Sequence, residues 1–106
     1  MPGKFNVVKS IKEDGDNMIV ELFGSLTVDT ADDFVNALNG KLDNVSNLIL
    51  DMKMMAYITS AGLRGLVRII KDMSAHGGKV TVRHVNKDVM NVFELMNVQT
   101  LVTVED

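Results

Sequence analysis

Apolar and polar positions change period several times along the chain, and each change marks an element. Phe5, Val7, Val8 and Ile11 predict a first strand over Phe5–Ile11, ending near Lys12. The turn formers Glu13-Asp14-Gly15-Asp16-Asn17 follow, then Met18–Phe23 as a second strand, so the two are expected to pair as a hairpin. Gly24 and Ser25 are expected to break that strand. Phe34, Val35 and Leu38 recur at helical spacing, with Asp32 and Asp33 at the dipole-favoured end and Gly40 as a stop. The expected helix is Thr30–Asn39, with Asp29 or Thr30 as its N-cap.

Val45–Met52 holds the dense run Leu48-Ile49-Leu50, as in a strand buried on both faces. From Ala61, positions Leu63, Leu66, Val67, Ile70 and Met73 form an apolar helical stripe, while Arg64, Arg68 and Lys71 share a polar face. Gly77-Gly78 ends that helix. Lys79–Val85 alternates as a strand, Asn86 caps a third helix bearing Val89, Val92, Phe93 and Met96, and Leu101–Val104 closes the chain as a strand. The order β-β-α-β-α-β-α-β requires crossovers after the hairpin. The fold class is therefore α/β: one mixed sheet with helices packed against it, over a single domain of residues 1–106.

Composition narrows the chemistry. A hydrophobic fraction of 46%, a charged fraction of 24% and a formal net charge of -3 describe an ordinary soluble domain with no general attraction to nucleic acid or anionic membrane. The absence of cysteine excludes disulfides and thiolate metal sites. His76 and His84 have no second ligand at metal-binding spacing, so no cofactor is expected. The N-terminus lacks the apolar stretch of a signal peptide and no run is long enough to span a bilayer, so a cytoplasmic location is expected.

Enzyme signatures are poor: there is no phosphate-binding glycine loop, and Ser60 sits in no G-x-S-x-G elbow. Gly62-x-x-Gly65 lies inside a helix and suggests packing. His76 at a helix end and His84, outward on a strand, are expected to be structural or solvated. Asp51 stands at the end of the central strand, as a functional group or a turn stabiliser. The eight methionines are expected mainly in the core, with a partner surface in a Met52–Met55 loop as the lesser reading.

Thr59 and Ser60 precede the helix opened by Ala61, and either hydroxyl there caps free N–H groups. The same helix end receives anions. A phosphate on Ser60 would add about -1.5 to -2 charges without opposing the helix, and Arg64, one turn on, is spaced to meet it.

The stretch YITSAGLRGL resembles the signature of bacterial STAS domains, especially anti-sigma factor antagonists. Phe23-Gly24-Ser25-Leu26 with Thr30-Ala31, Leu48-Ile49-Leu50-Asp51 and Val92-Phe93-Glu94-Leu95 are similar to further segments of that family, so the resemblance covers nearly the whole chain. It implies the STAS fold, with Ser60, two residues before Gly62, as phosphoacceptor. It also implies a partner-binding surface of Thr27, Asp29, Thr59, Ser60, Ala61, Gly62 and Arg64. The partners so implied are an anti-sigma factor that is also a serine kinase, released from its sigma factor on binding, and a serine phosphatase. No catalysis by this chain is implied, and a monomer or weak dimer is expected. Thr27 and Thr59 stand where family members often carry aspartate, which makes the field at Ser60 less negative. The second reading is a STAS subunit of a larger assembly, such as a lipid-transport complex or signalling scaffold, with Ser60 only a cap. A small enzyme using Ser60 or Asp51 is the third.

Overall fold

The computed structural model describes residues 7–105; Phe5 and Asn6 of the expected first strand lie outside them. Strand β1 (Val8–Asp14) pairs antiparallel with β2 (Asn17–Leu26), giving the expected hairpin. Helix α1 (Val28–Leu38), β3 (Asn47–Ile58), α2 (Ser60–Ala75), β4 (Lys79–Arg83), α3 (Lys87–Leu95) and β5 (Thr103–Glu105) follow, with a short 3₁₀ turn at Val98–Thr100. The sheet order is β1-β2-β3-β4-β5, parallel from β2 onward.

Each new parallel strand is added on the same side of the last, so right-handed crossovers carry all three helices to one face of the sheet. Burial follows that rule. Met18, Val20, Leu22, Leu48, Leu50, Val80 and Val82 are buried at alternate positions and join Phe34, Leu66, Ile69, Met73, Val89 and Phe93 in one core. The opposite face carries Glu21, Asp51 and Arg83 with half-buried Ile19 and Ile49.

The central strand departs most from the sequence reading. It does not end at Met52 but runs to Ile58, so Met52–Met55 is strand rather than loop. Register explains the difference: Glu21 pairs with Asp51 but Phe23 with Met54, and Gly24 with Met55 but Ser25 with Tyr57. At each step β3 contributes one residue more than β2, which is a bulge. The bulges stretch the buried spacing from two residues (Leu48, Leu50, Met52) to three (Met52, Met55, Ile58), a pattern that no longer reads as a strand. Likewise β2 continues through Gly24-Ser25 instead of breaking there. Gly24 adopts φ +75°, a left-handed conformation glycine takes at no steric cost, and bends the strand without ending it.

Other boundaries also shift. Helix α1 begins before Thr30 because neither Asp29 nor Thr30 is its N-cap; Thr27 is, its hydroxyl accepting from the Asp29 N–H at 3.1 Å. Thr30 instead takes the Thr27 N–H on its hydroxyl at 2.8 Å and donates to the Ser25 carbonyl at 2.8 Å. Strand β4 stops at Arg83 because His84 turns to φ 58°, so His84 is not a strand residue. β5 begins only at Thr103, because the 3₁₀ turn occupies the residues before it. Asn86 caps α3 as expected, accepting from the Val89 N–H at 2.8 Å. Its amide also donates to the carbonyls of Met55 and Ala56 at 2.9 and 3.0 Å, tying α3 to the bulged part of β3. Met96 falls just beyond α3 and is 50% exposed, so it does not join the core.

Candidate functional site

The carboxyl ends of β2 and β3 stop together, since Leu26 pairs with Ile58, and each feeds a helix. Thr27 caps α1 and Thr59 caps α2, so two helix N-termini stand side by side. The Thr59 N–H donates to the Leu26 carbonyl at 2.9 Å, and the Thr59 hydroxyl accepts from the Gly62 N–H at 3.1 Å. Capping therefore falls to Thr59, not Ser60. Ser60 is the first residue of α2, exposed, with its hydroxyl in no hydrogen bond among the described residues. The helix end keeps its affinity for negative charge while the serine oxygen stays free of structural duty.

Glycine makes this closeness possible. A Cβ on Gly62 would collide with the carbonyl of Leu26 and lie 2.7 Å from the Thr27 nitrogen. One turn on, a Cβ on Gly65 would meet the Ala31 Cβ at 3.2 Å, so the Gly62-x-x-Gly65 pair is the packing seam of α2 against the β2–α1 turn and α1. Gly62 is buried and shapes the site from beneath; Ala61 is half-buried.

The structure gathers Thr27, Thr59, Ser60, Ala61, Gly62 and Arg64 at one corner. Asp29 lines a separate hollow with Thr27, Phe23 and Val7. Arg64 is exposed and forms no ion pair among the described residues. It borders two depressions, one against Val28 and Asp32 of α1, the other shared with Ser60, Leu63, Val67 and Met96. Sequence reasoning missed the second of these. The spacing of Arg64, Arg68 and Lys71 was its only trace, because the opposing wall comes from residues after α3. Of the methionines in β3, Met52 and Met55 are buried, while Met54 is exposed beside its register partner Phe23, and Tyr57 further along the strand is exposed as well.

A second polar cluster lies on the open sheet face. The Asp51 carboxylate accepts from His84 Nδ1 at 2.9 Å and from the Lys53 N–H at 3.1 Å, and Arg83 Nε stands 3.8 Å away. Partial burial pushes the Asp51 carboxyl up, but the His84 hydrogen bond, the Lys53 N–H and the charges of His84 and Arg83 outweigh it, so the group sits below its ordinary value. The cluster joins β3 to the end of β4 and accounts for the turn at His84. A carboxyl with a depressed folded-state pKa adds stability above the unfolded value of about 3.9 and loses it as pH falls through the folded value. Asp51→Asn is thus expected to cost about 1–2 kcal/mol at pH 7. That difference should hold above the unfolded value of about 3.9 and shrink as pH falls below it and through the lower folded value, as read from urea unfolding of both proteins across the range. His76 also has a structural partner, its Nε2 donating to the Val45 carbonyl at 2.9 Å. Among the described residues, no group of three or more acids and histidines is placed to hold a metal ion, and no helix is long and apolar enough to cross a membrane.

Solved structures share this fold. A Thermotoga maritima protein assigned as an anti-sigma factor antagonist superposes with a TM-score of 0.81 at 24% identity, over 92% of this chain and 85% of that one. An anti-sigma factor antagonist from Mycobacterium paratuberculosis gives 0.77 at 16% identity, over 90% and 81%. The phosphorylated form of the Bacillus cell fate determinant SpoIIAA gives 0.71 at 12% identity, over 92% and 90%. At such identities the likeness is one of fold. The family model of the STAS domain matches residues 8–106, from the opening hairpin through the paired helix starts to β5, and the chain belongs to the STAS domain family.

Proposed function

We propose that this chain is an anti-sigma factor antagonist that works by partner switching. Unphosphorylated, it binds an anti-sigma factor that is also a serine kinase, and so frees a sigma factor. The Ser60 oxygen then attacks the γ-phosphorus of ATP held by the kinase; a Ser60 O–P bond forms, ADP leaves, and the hydroxyl proton passes to a base of the kinase. A serine phosphatase reverses the modification by hydrolysis. The surface offered is the corner of Thr27, Thr59, Ser60, Ala61 and Arg64, with Asp29 at its far edge and Gly62 beneath.

The observation that carries this reading is the division of labour at the start of α2. Thr59 does the capping, which leaves Ser60 exposed and unbonded at a helix end that accepts negative charge. Phosphate there changes the surface by about -1.5 to -2 charges while the fold is kept. That is the behaviour a binding switch requires. The antagonist identity of the fold's neighbours agrees with it.

Incubation with the partner kinase and MgATP is expected to add one phosphoryl group, located on Ser60 by peptide mass mapping. Ser60→Asp should abolish binding to the kinase while shifting stability by less than about 0.5 kcal/mol; Ser60→Ala should still bind. An unmodified mass, or normal binding by Ser60→Asp, would sink the switch and favour a STAS subunit fixed in a larger assembly.

A further inference from the structure

We propose that the groove between α2 and the residues following α3 is a docking site for an acidic amphipathic helix of a partner protein. The proposal deepens the reading of the Ser60 corner as a partner contact and rests on it for the partner's arrival there.

The groove has a two-sided chemistry. Leu63, Val67, Met96 and Val98 give it an apolar floor and far wall. Val67 is half-buried and Met96 is 50% exposed, so apolar surface is open to a ligand. Arg64, Arg68 and Lys71 form the near rim at successive turns of α2, and no carboxylate lines the groove. Three cations on one depression that no carboxylate lines stand out in a chain whose net charge is -3. Arg68 is drawn only loosely to Asp72, at 3.7 Å on an exposed face, while Arg64 and Lys71 form no ion pair among the described residues.

Length and periodicity choose the form of the ligand. From Ser60 to Lys71 the rim runs about 16 Å along the helix axis, or roughly three turns. Cations spaced one per turn match carboxylates spaced one per turn on a facing helix, whose adjacent apolar stripe then lies on Val67 and Met96. Guanidinium–carboxylate pairs at the rim bring charge-assisted hydrogen bonds as well as attraction.

Ser60 lies at the head of the same groove. A phosphate there would place negative charge where the acidic ligand enters and would compete for Arg64. The docking groove and the switch thus act on one electrostatic surface.

The test uses a fluorescent synthetic three-turn amphipathic peptide with glutamates along one edge of a leucine stripe, titrated by anisotropy. A second peptide carries lysines in place of the glutamates. The glutamate peptide is expected to bind the wild-type protein, more weakly as salt is raised, and the lysine peptide not to bind. The double substitution Arg64→Gln, Lys71→Gln should weaken binding at least about tenfold. Val67→Glu should abolish it, and each variant's circular dichroism reports that it is folded. Equal binding of the two peptides, or binding untouched by the double substitution, overturns the proposal. So does concentration-dependent self-association that Val67→Glu abolishes, with no peptide binding, since the occupant is then a second copy of the chain. Equal affinity of wild type and Ser60→Asp for the glutamate peptide supports the groove and removes its link to the switch. Phosphorylation-controlled kinase binding by a protein that ignores the glutamate peptide overturns the groove alone.

Discussion

Gly62→Val is expected to be among the most damaging single substitutions in the chain, lowering stability by about 3 kcal/mol or more. In a domain of this size that corresponds to a fall in Tm of about 12–24 °C. The reason is what the new side chain meets. Its Cβ collides with the Leu26 carbonyl and presses on the Thr27 nitrogen, and both are backbone groups already fixed. The Leu26 carbonyl accepts from the Thr59 N–H, and the Thr27 N–H donates to the Thr30 hydroxyl. Retreat of the first breaks the bond that holds one helix start against the other, and retreat of the second breaks the cap of α1. α2 would have to move outward, carrying Ser60 with it. Scanning calorimetry of the purified variant checks the size of the effect. A Tm within about 4 °C of wild type would mean that α2 does not need its close approach to the β2–α1 turn.

Phe93→Ala is expected to cost about 3–5 kcal/mol, through lost burial and the cavity left behind. Phe93 is fully buried, and with Val89 it supplies the buried residues by which the nine-residue α3 is anchored. The Asn86 amide holds only the start of that helix. The loss should therefore be felt first at the carboxyl end of α3, where Met96 and Val98 form the groove wall. Hydrogen exchange would show it as faster exchange of α3 amides than of β3 amides, at temperatures where the protein is still folded. Met96→Ala, at a half-exposed side chain, should cost less than about 1 kcal/mol in the same assay. Equal costs for the two would mean that α3 is not anchored through Phe93.

Much of this protein was legible in the chain itself. Period and punctuation alone placed the hairpin, the three helices and the parallel order, because a strand of period two and a helix of period 3.6 bury different residues. The α2 start was equally plain, since hydroxyl residues before an apolar helical stripe have few other uses. Tertiary structure decided three things that local pattern does not hold. It decided that β3 runs through Lys53–Ile58, where two bulges against β2 break the alternation a strand is recognised by. It decided which hydroxyl caps α2: Thr59 and Ser60 are both suitable types, and only the geometry of the Gly62 N–H separates them. It also brought Met96 and Val98 against α2 to make the groove, a contact between residues some 30 positions apart. The chain therefore marked Ser60 as the residue to watch. Only the fold, by giving the cap to Thr59, left that serine's hydroxyl unbonded at the helix end.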